Sequence, residues 1–352
     1  MSYPIISVSH PLGSLSLKEL NLRELYNLSF LSQDFKEQVS KFTKLHRKLR
    51  MEVNSGFIKV GTVDYSWNPV FWRFKDPRIL ETMEDQKPIY QEMNGVVLKF
   101  YEDPECPLEL TCYTEYPEME MMVVLRYLKE TFNCKLKNLF IPLQEVEDLD
   151  VYLQDPYLHS CETLEVSEGA VSHLEMTRLL EQFPNAEKKH LRCYPGRDFV
   201  YDKPLSVPHL HLTHSSWVTP QNLRNFDCAS IRLENCLLTE KAFNDFIVNW
   251  LVSDNNKLEY LCARGKLRDA KENDDGNMGF EDLKISNILR GIPMKLHSKN
   301  ENLTNSYSPY HTAIFFSGFD IFRESDGVKA TAMVLDWMED CDAVQFVFTV
   351  WK

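Results

Sequence analysis

The chain has 352 residues, of which 43% are hydrophobic and 12% aromatic, with 12 glycines and 17 prolines. This composition is typical of an ordered globular chain with a substantial apolar core. The formal net charge of -13 has the wrong sign for a protein that coats a phosphate backbone or an anionic membrane leaflet, so composition argues against nucleic-acid and membrane partners.

The start of the chain bears on its compartment. Met1 to Leu20 lacks the basic start, apolar run and small-residue cleavage site of a secretory signal. No apolar stretch approaches the roughly 18 residues that span a bilayer. We therefore expect a cytoplasmic or nuclear protein, in which the nine cysteines stay as free thiols.

The first fifty residues carry apolar side chains at helical spacing. One run ends with Leu25, Leu28 and Leu31, and a second contains Phe35, Val39, Phe42, Leu45 and Leu49. Because intervals of three and four residues place side chains on one helix face, we predict a small helical domain over residues 1–49. The pattern alone equally allows a helical cap on the domain that follows.

Two stretches of this segment have a further pattern, namely Tyr3-Pro4-Ile5-Ile6 and the Glu-Leu and Leu-Ser pairs between Leu20 and Ser32. They resemble the F-box of nematode F-box proteins, although Ser9 and Leu22 stand where that family usually has proline. In that family the segment binds the Skp-type adaptor of Skp–cullin–F-box ubiquitin ligases through leucines on the outer faces of its helices. The resemblance implies adaptor contacts at Pro4, Ile5, Val8, Leu12, Leu20, Leu22, Leu25, Leu28 and Leu31.

Residues 50–132 read as strands followed by a helix. Short β-branched and aromatic runs, such as Gly56 to Val60, Pro69 to Phe74 and Gly95 to Tyr101, are separated by turn-forming residues. Pro117 to Phe132 then has apolar residues at helical spacing, which indicates a core helix rather than a cofactor site.

A strand-like pattern recurs through residues 133–300, and each copy is followed by a helix-like stretch. The intervals between marker leucines are 25, 27, 19, 23 and 28 residues, for Leu139, Leu164, Leu191, Leu210, Leu233 and Leu261. This spacing is typical of a leucine-rich repeat, in which stacking supplies the core. An ordinary α/β domain is the alternative.

Residues 301–352 change character again. Four strand-like runs are predicted here, at His311 to Phe316, Phe319 to Arg323, Lys329 to Val334 and Val344 to Trp351. Glu324 to Gly327 predicts a hairpin turn between the second and third. We expect an antiparallel cap that shields the open edge of the repeat.

The body also resembles one family over roughly residues 130–350. The motifs are His214 to Thr219, Asn225 to Cys228, Ile231 to Asn235, Asn249 to Leu251, Leu258 to Leu261 and Gly318 to Thr331. They look like the type 2 F-box-associated domain of nematode F-box proteins. The fold expected is α+β: an F-box-like helical domain, then a leucine-rich-repeat-like α/β domain over 50–352 with antiparallel C-terminal strands.

We searched the sequence for catalytic and metal-binding chemistry. His209, His211 and His214 form its densest set of potential ligands, but no nearby cysteine pair completes a tetrahedral zinc site. There is no nucleophile elbow, phosphate-binding loop or dinucleotide fingerprint. We therefore expect no metal, no cofactor and no catalytic site, although a Ser-His-Asp arrangement could still assemble in space.

The resulting interpretation is a substrate-recognition adaptor of a Skp–cullin–F-box ligase. The N-terminal helices would bind a Skp-type adaptor and through it a cullin, and the C-terminal domain would bind a substrate protein. Candidate substrate contacts are His209, His211, Trp217, Arg232, Glu234, Glu259 and Tyr260. The alternatives are a ligase-independent interaction protein with a degenerate F-box, and a hydrolase or other enzyme on an α/β domain.

Overall fold

The computed structural model describes residues 17, 20–46, 49–54, 56–62, 69–75, 77, 87–102, 106, 108–146, 148–265, 269–272, 278–281, 283–297, 318–336 and 344–351. The chain forms two compact units, the first ending at Glu162 and the second beginning at Thr163. The fold is mixed α/β, with a large body of sheet and several helices. Among the described residues no helix combines the length and the apolarity needed to cross a membrane.

The described residues of the first unit form seven strands, four α-helices and a short 3-10 helix at Leu158–Ser160. The strands are β1 (Leu49–Asn54), β2 (Phe57–Thr62), β3 (Val70–Lys75), β4 (Ile89–Met93), β5 (Val96–Glu102), β6 (Glu109–Tyr113) and β7 (Lys135–Ile141). The helices are α1 (Leu22–Ser29), α2 (Gln33–His46), α3 (Pro117–Phe132) and α4 (Leu149–Gln154). The strands lie side by side in the order β7-β1-β2-β3-β6-β5-β4, with β1 parallel to β7, β3 parallel to β6 and the other neighbours antiparallel.

The N-terminal helices are built into the core of this unit. Leu25 and Tyr26 of α1 are fully buried, and the Tyr26 ring lies 5.0 Å from the Trp72 ring of β3. The Tyr26 hydroxyl donates a hydrogen bond of 2.6 Å to Gln91. Arg23 pairs with Glu102 at 2.6 Å. Because a buried hydroxyl and a buried guanidinium are costly without partners, these bonds fix α1 against β3, β4 and β5.

Helix α2 packs beside α3 through similar mixed contacts. Val39 and Phe42 are buried, and the Thr43 hydroxyl donates to the carbonyl oxygen of Thr131 in α3 at 3.4 Å. The Lys36 ammonium lies 4.6 Å from the centre of the Tyr127 ring of α3. The described part of residues 1–49 therefore belongs to the same compact unit as the sheet. The domain boundary predicted at residue 49 stays a prediction.

The second unit begins with parallel strands separated by helices. The parallel strands are β8 (Thr163–Val166), β9 (Lys188–Leu191), β10 (His209–Leu212), β11 (Ser230–Glu234) and β12 (Tyr260–Gly265). Helices make three of the four connections: α5 (His173–Glu181) follows β8, α6 (Pro220–Asn225) follows β10 and α7 (Glu240–Val252) follows β11. The described residues between β9 and β10 form no helix, although one was expected after each strand. Strands β8, β10 and β11 alternate buried and half-exposed residues, as expected of a sheet with one face in the core. Strand β12 is buried at all but one of its positions.

Local sequence signals explain where these helices begin. Ser172 and Glu175 form a capping box at the start of α5, and Thr219 and Asn222 form one at the start of α6. Each box satisfies backbone N–H groups that have no partner within the helix. At the other end of α5, the buried ammonium of Lys189 donates a hydrogen bond of 2.6 Å to the carbonyl oxygen of Leu180. A cation there also complements the negative end of the helix dipole.

Antiparallel strands complete the second unit. They are β15 (Lys295–Leu296), β16 (Phe319–Phe322), β17 (Lys329–Asp336) and β18 (Val344–Trp351), after a separate hairpin of β13 (Asp269–Glu272) and β14 (Met278–Glu281) and the helix α8 (Ile285–Ile288). Strand β18 pairs antiparallel with β12, and the order continues β17, β16, β15. This pairing confirms the antiparallel C-terminal strands predicted to cover the open edge. The predicted strand at His311 to Phe316 lies outside the described residues.

The turn between β16 and β17 is anchored by a buried arginine. Arg323 donates to both carboxylate oxygens of Asp326 at 2.6–3.1 Å and to the carbonyl oxygen of Asn255 at 2.7 Å. Its guanidinium carbon lies 4.9 Å from the centre of the Trp250 ring. The hairpin predicted at Glu324 to Gly327 is present, with Gly327 at a φ of 73°, a value that glycine adopts readily.

Several sequence boundaries shift in the structure. The apolar run that ended at Leu49 predicted one helix, but α2 ends at His46 and Leu49 begins β1. Strands β1, β4 and β6 were not predicted. The five parallel strands confirm the predicted strand positions at 161–166, 189–193, 209–212, 230–233 and 258–261 to within a few residues. The leucine-rich-repeat description of this region stays an interpretation.

Candidate functional site

One face of the parallel sheet carries charged and polar side chains instead of leucines. In register across β8 to β11 stand Glu165, His190, His211 and Arg232. Arg192 lies two residues after His190, and Glu234 two residues after Arg232. We call these six residues the polar face. All are half-exposed, with side-chain exposures between 22% and 38%. The alternation of the strands places them opposite the buried leucines.

Glu234 joins two strands of this face. The Nε2 atom of His211 lies 3.0 Å from one of its carboxylate oxygens, and the Nε of Arg232 donates to that same oxygen at 3.0 Å. The hydrogen bond from His211, with the nearby Arg232 charge, lowers the pKa of Glu234 to about 2. Glu234 is therefore ionised at neutral pH and holds both neighbours in place.

Glu165 forms the matching group at the other side. Arg192 hydrogen-bonds to its carboxylate, and the Nδ1 of His190 lies 3.7 Å from the same oxygen. Between the two groups the rings of His190 and His211 are stacked, with centroids 3.9 Å apart and planes within 7° of parallel. The polar face is thus one connected arrangement of two carboxylates, two arginines and two histidines.

Two histidines of this sheet face, His190 and His209, are biased toward their neutral form. Burial is the main cause that lowers the pKa of His190 to about 4, and the adjacent His211 and Arg192 add to it. Burial also lowers the pKa of His209, which stands on β10 two residues before His211. Because like charges and burial both disfavour imidazolium, we expect His190 to be uncharged at neutral pH.

Two nitrogen atoms of the polar face lack a hydrogen-bond partner. The Nε2 of His190 and the Nε of Arg192 are buried atoms without a hydrogen-bond partner among the described residues. A buried polar atom left unpaired costs free energy. Because both atoms are buried, they are a cost to the polar face and are not open contacts for another molecule.

An apolar cluster ends the row at one side. Cys262 follows Arg232 in register, and Val347 and Met333 follow Cys262 on β18 and β17. With Tyr260 they form a cluster in which every side chain is at most 8% exposed. Because these residues are covered, the accessible surface is the polar face itself rather than the apolar cluster.

The substrate contacts predicted from the sequence divide into two groups. His209, His211, Arg232 and Glu234 lie on one sheet face, and the last three are directly connected. Tyr260 lies in the row of His209 but is only 8% exposed. Glu259 precedes it and has the opposite orientation along the strand.

Trp217 is a packing residue. It is 6% exposed, and its ring lies 5.1 Å from that of Phe199 and 6.3 Å from that of Tyr201, both in edge-to-face arrangements. A tryptophan covered in this way contributes to the core of the second unit. Its position gives it no access to a partner at the polar face.

Three members of the polar face were not predicted, namely Glu165, His190 and Arg192. The signal was present, because each stands one residue from a marker leucine in its strand and must face away from the core. Which strands lie adjacent, and in which register, is not readable from the spacing. That information decides that His190 stacks on His211.

The predicted adaptor contacts are spread between core and surface. Pro4, Ile5, Val8 and Leu12 lie outside the described residues. Leu22 and Leu25 are buried within the first unit, at 2% and 0% exposure, so they are not on an outer helix face. Leu20 and Leu28 are half-buried. Leu31, between α1 and α2, is 62% exposed and is the one member of the described set that is freely accessible.

We also searched the described residues for a metal centre. They contain no group of three His, Cys, Asp or Glu side chains that could hold a metal ion. The polar face has the half-exposed ion pairs and hydrogen-bond donors of a recognition surface. It can bind charged or polar groups of another molecule through its arginines and histidines.

Comparison with known proteins identifies a domain within the second unit. Residues 204–263 match the model of a protein family described as F-box associated, so the chain contains an F-box associated domain. The matched stretch holds β10, α6, β11, α7 and most of β12. It therefore includes His211, Arg232 and Glu234 of the polar face.

Two curated relatives come from the nematode Caenorhabditis elegans. The chain is 25% identical over 296 residues to "E3 ubiquitin-protein ligase hecw-1", covering 73% of this chain and 23% of that protein. It is 22% identical over 223 residues to "Skn-1 dependent zygotic transcript 15 protein", covering 60% of this chain and 58% of that protein. The alignments thus span less than two thirds of the length of either relative. No solved structure matches the chain.

Proposed function

We propose that this chain is the substrate-recognition adaptor of a Skp–cullin–F-box type ubiquitin ligase. In this proposal the N-terminal helices bind a Skp-type adaptor, and the polar face binds the substrate protein. The observation that carries the proposal is the F-box associated domain at residues 204–263, which supplies three of the six polar-face residues. The chain itself would perform no chemical step, since the chemistry belongs to its partners.

The geometry of the polar face supports recognition. Its ion pairs are half-exposed rather than buried, and pairs of that kind contribute little to stability. Their value lies in orienting arginine donors, which are enriched at protein interfaces because of their planar, multidentate geometry. One relative is named a ubiquitin-protein ligase, and this name places that protein in the same kind of pathway.

Leu31 gives the adaptor-binding half of the proposal a specific test. A full-length tagged chain would be co-expressed with a Skp-type adaptor and purified. We expect Leu31→Asp to reduce the amount of adaptor recovered, because a charge in an apolar contact costs several kcal/mol if buried there. Leu174→Asp is the matched control, because Leu174 lies on α5 of the second unit and has nearly the same exposure, 61% against 62%.

The amount of adaptor recovered with each chain decides for or against the ligase role. Recovery of the adaptor with the wild-type chain and with Leu174→Asp, but not with Leu31→Asp, supports the proposal. Absence of adaptor from the wild-type preparation would contradict the ligase role. Leu25→Asp is unsuitable as a test, because Leu25 is fully buried and its charge would disrupt folding instead.

A specific observation favours a second candidate function. Leu22 and Leu25, two of the leucines that the F-box resemblance assigns to the adaptor, are buried against the first unit. A chain that uses these leucines for its own core has fewer of them for a partner. The alternative is a ligase-independent interaction protein with a degenerate F-box, which would retain binding at the polar face without a Skp-type adaptor.

A further inference from the structure

The sheet face around the polar face carries positive charge on a strongly acidic chain. Along the described strands, Lys188 and Arg264 share this face with the two polar-face arginines, because they stand in register with His209 and Glu234. Four basic side chains face two carboxylates there, while the whole chain has a net charge of -13. A surface of local positive charge in an acidic protein selects for a partner segment of negative charge.

The donors of this face are only partly used. Arg192 binds Glu165 through a terminal guanidinium nitrogen, and its Nε remains unpartnered. Arg232 directs both Nε and Nη2 to a single oxygen of Glu234 at 3.0 Å. An arginine has five N–H donors, so Arg192 and Arg232 can each hold a glutamate and still donate to a second carboxylate.

The spacing of the arginines sets the shape of the ligand. Arg192 and Arg232 are two strands and two residues apart in the register of the sheet, which corresponds to about 12 Å between their Cα atoms. In an extended peptide, side chains four residues apart point the same way and are about 13 Å apart. Two acidic side chains at that spacing can therefore reach both arginines at once.

We propose that the polar face binds an extended acidic peptide segment of the partner protein, with carboxylates four residues apart seated on Arg192 and Arg232. The proposal rests on the proposed function, because it names the chemistry of the segment that the recognition surface takes. The stacked rings of His190 and His211 lie between the two arginines and form the floor of the site. A nucleic acid fits less well, because its many phosphates meet the overall negative charge of the chain.

The test uses the purified full-length chain and synthetic peptides. Fluorescence anisotropy would measure binding of a short labelled Ala/Ser peptide that carries two glutamates four residues apart. Three further probes would be titrated: the same peptide with lysines in place of glutamates, one with glutamates three apart, and a single-stranded oligodeoxythymidylate. We expect the glutamate peptide with spacing four to bind best, and its affinity to fall with added salt.

Substitutions locate the binding to the polar face. Arg192→Gln and Arg232→Gln should each weaken the glutamate peptide about tenfold, since each removes charge-assisted hydrogen bonds. Arg224→Gln is the matched control, because Arg224 is an exposed arginine on α6 whose ion pair is with Asp245. It should leave the affinity unchanged.

Several outcomes would overturn the inference. These are no measurable binding of the glutamate peptide at about 1 mM, equal binding of the lysine peptide, tighter binding of the oligonucleotide, or an equal loss with Arg224→Gln. Because the peptide assay needs no ligase subunit, its failure is distinct from failure of the adaptor to co-purify. A chain that binds the peptide but no Skp-type adaptor would keep this inference and reject the ligase role.

Discussion

Replacing Leu25 by alanine tests whether the N-terminal helices are part of the first unit or a separable module. Leu25 is 0% exposed, so Leu25→Ala removes three buried carbon atoms, each worth about 0.8 kcal/mol of transfer free energy. The cavity that remains adds to this loss. We therefore expect the free energy of unfolding to fall by about 2–4 kcal/mol. Leu31→Ala, at a site 62% exposed, should change it by less than about 0.5 kcal/mol.

Urea denaturation followed by tryptophan fluorescence measures the change. With a slope of about 2 kcal/mol per molar urea, the midpoint of the first unit's transition should drop by about 1 M or more. Hydrogen exchange then reports where stability is lost. Peptides from β3, which holds the Trp72 that Tyr26 contacts, should exchange faster in Leu25→Ala. If only α1 peptides lose protection while β3 stays protected, the helices are a separable module and the packing argument is refuted.

Three further predictions concern single sites. The lowered pKa of Glu234 gives stability that is present above the ordinary pKa of 4.5 and is lost as the pH falls toward about 2. In Glu234→Gln the melting temperature should therefore depend less on pH over that range than it does in the wild-type chain. The pKa of His190 is lowered to about 4, so between about pH 4 and pH 6.5 the unfolded chain binds a proton at this ring and the folded chain does not. An NMR titration of the histidines should therefore find His190 neutral at pH 6. A protonated His190 at pH 6 would contradict its burial. A Cβ at Gly265 would lie 2.5 Å from the carbonyl oxygen of Cys236, so Gly265→Ala should lower the melting temperature by several degrees, and an unchanged melting temperature would mean that the backbones there are less close.

The strands of the second unit were readable from the sequence for a physical reason. A strand with one face in the core must alternate apolar and polar residues, and His209 to Leu212 does so without interruption. Strand β6 was missed because four of its five residues are buried, so it shows no alternation. Strand β1 was missed because Leu49 continued the helical spacing of the residues before it.

The candidate site was predictable only in part. Alternation identifies side chains that point away from the core, and it found His211, Arg232 and Glu234. It cannot give the lateral order of strands or their register, which are set by long-range packing. The stacking of His190 on His211 and the Glu165 pairs depend on that register.

Helical periodicity has a similar limit at the N-terminus. It correctly predicts one apolar stripe on α1, but not the surface against which the stripe packs. Leu25 is buried within the first unit, whereas a partner was expected there. The contacts of Tyr26 with Gln91 and Trp72 join residues far apart in sequence, and no local pattern encodes them.

One purification tests adaptor binding and substrate binding by the same chain, which is the most direct test of the proposed ligase role. Tagged wild-type chain and a variant with Arg192→Gln and Arg232→Gln would be isolated from nematode cells with the proteasome inhibited, and the Skp-type adaptor and ubiquitylated proteins would be quantified. We expect both chains to retain the adaptor, and the variant to lose the ubiquitylated proteins that the wild type retains. Equal amounts of ubiquitylated protein on the two chains, or no adaptor on either, would contradict it.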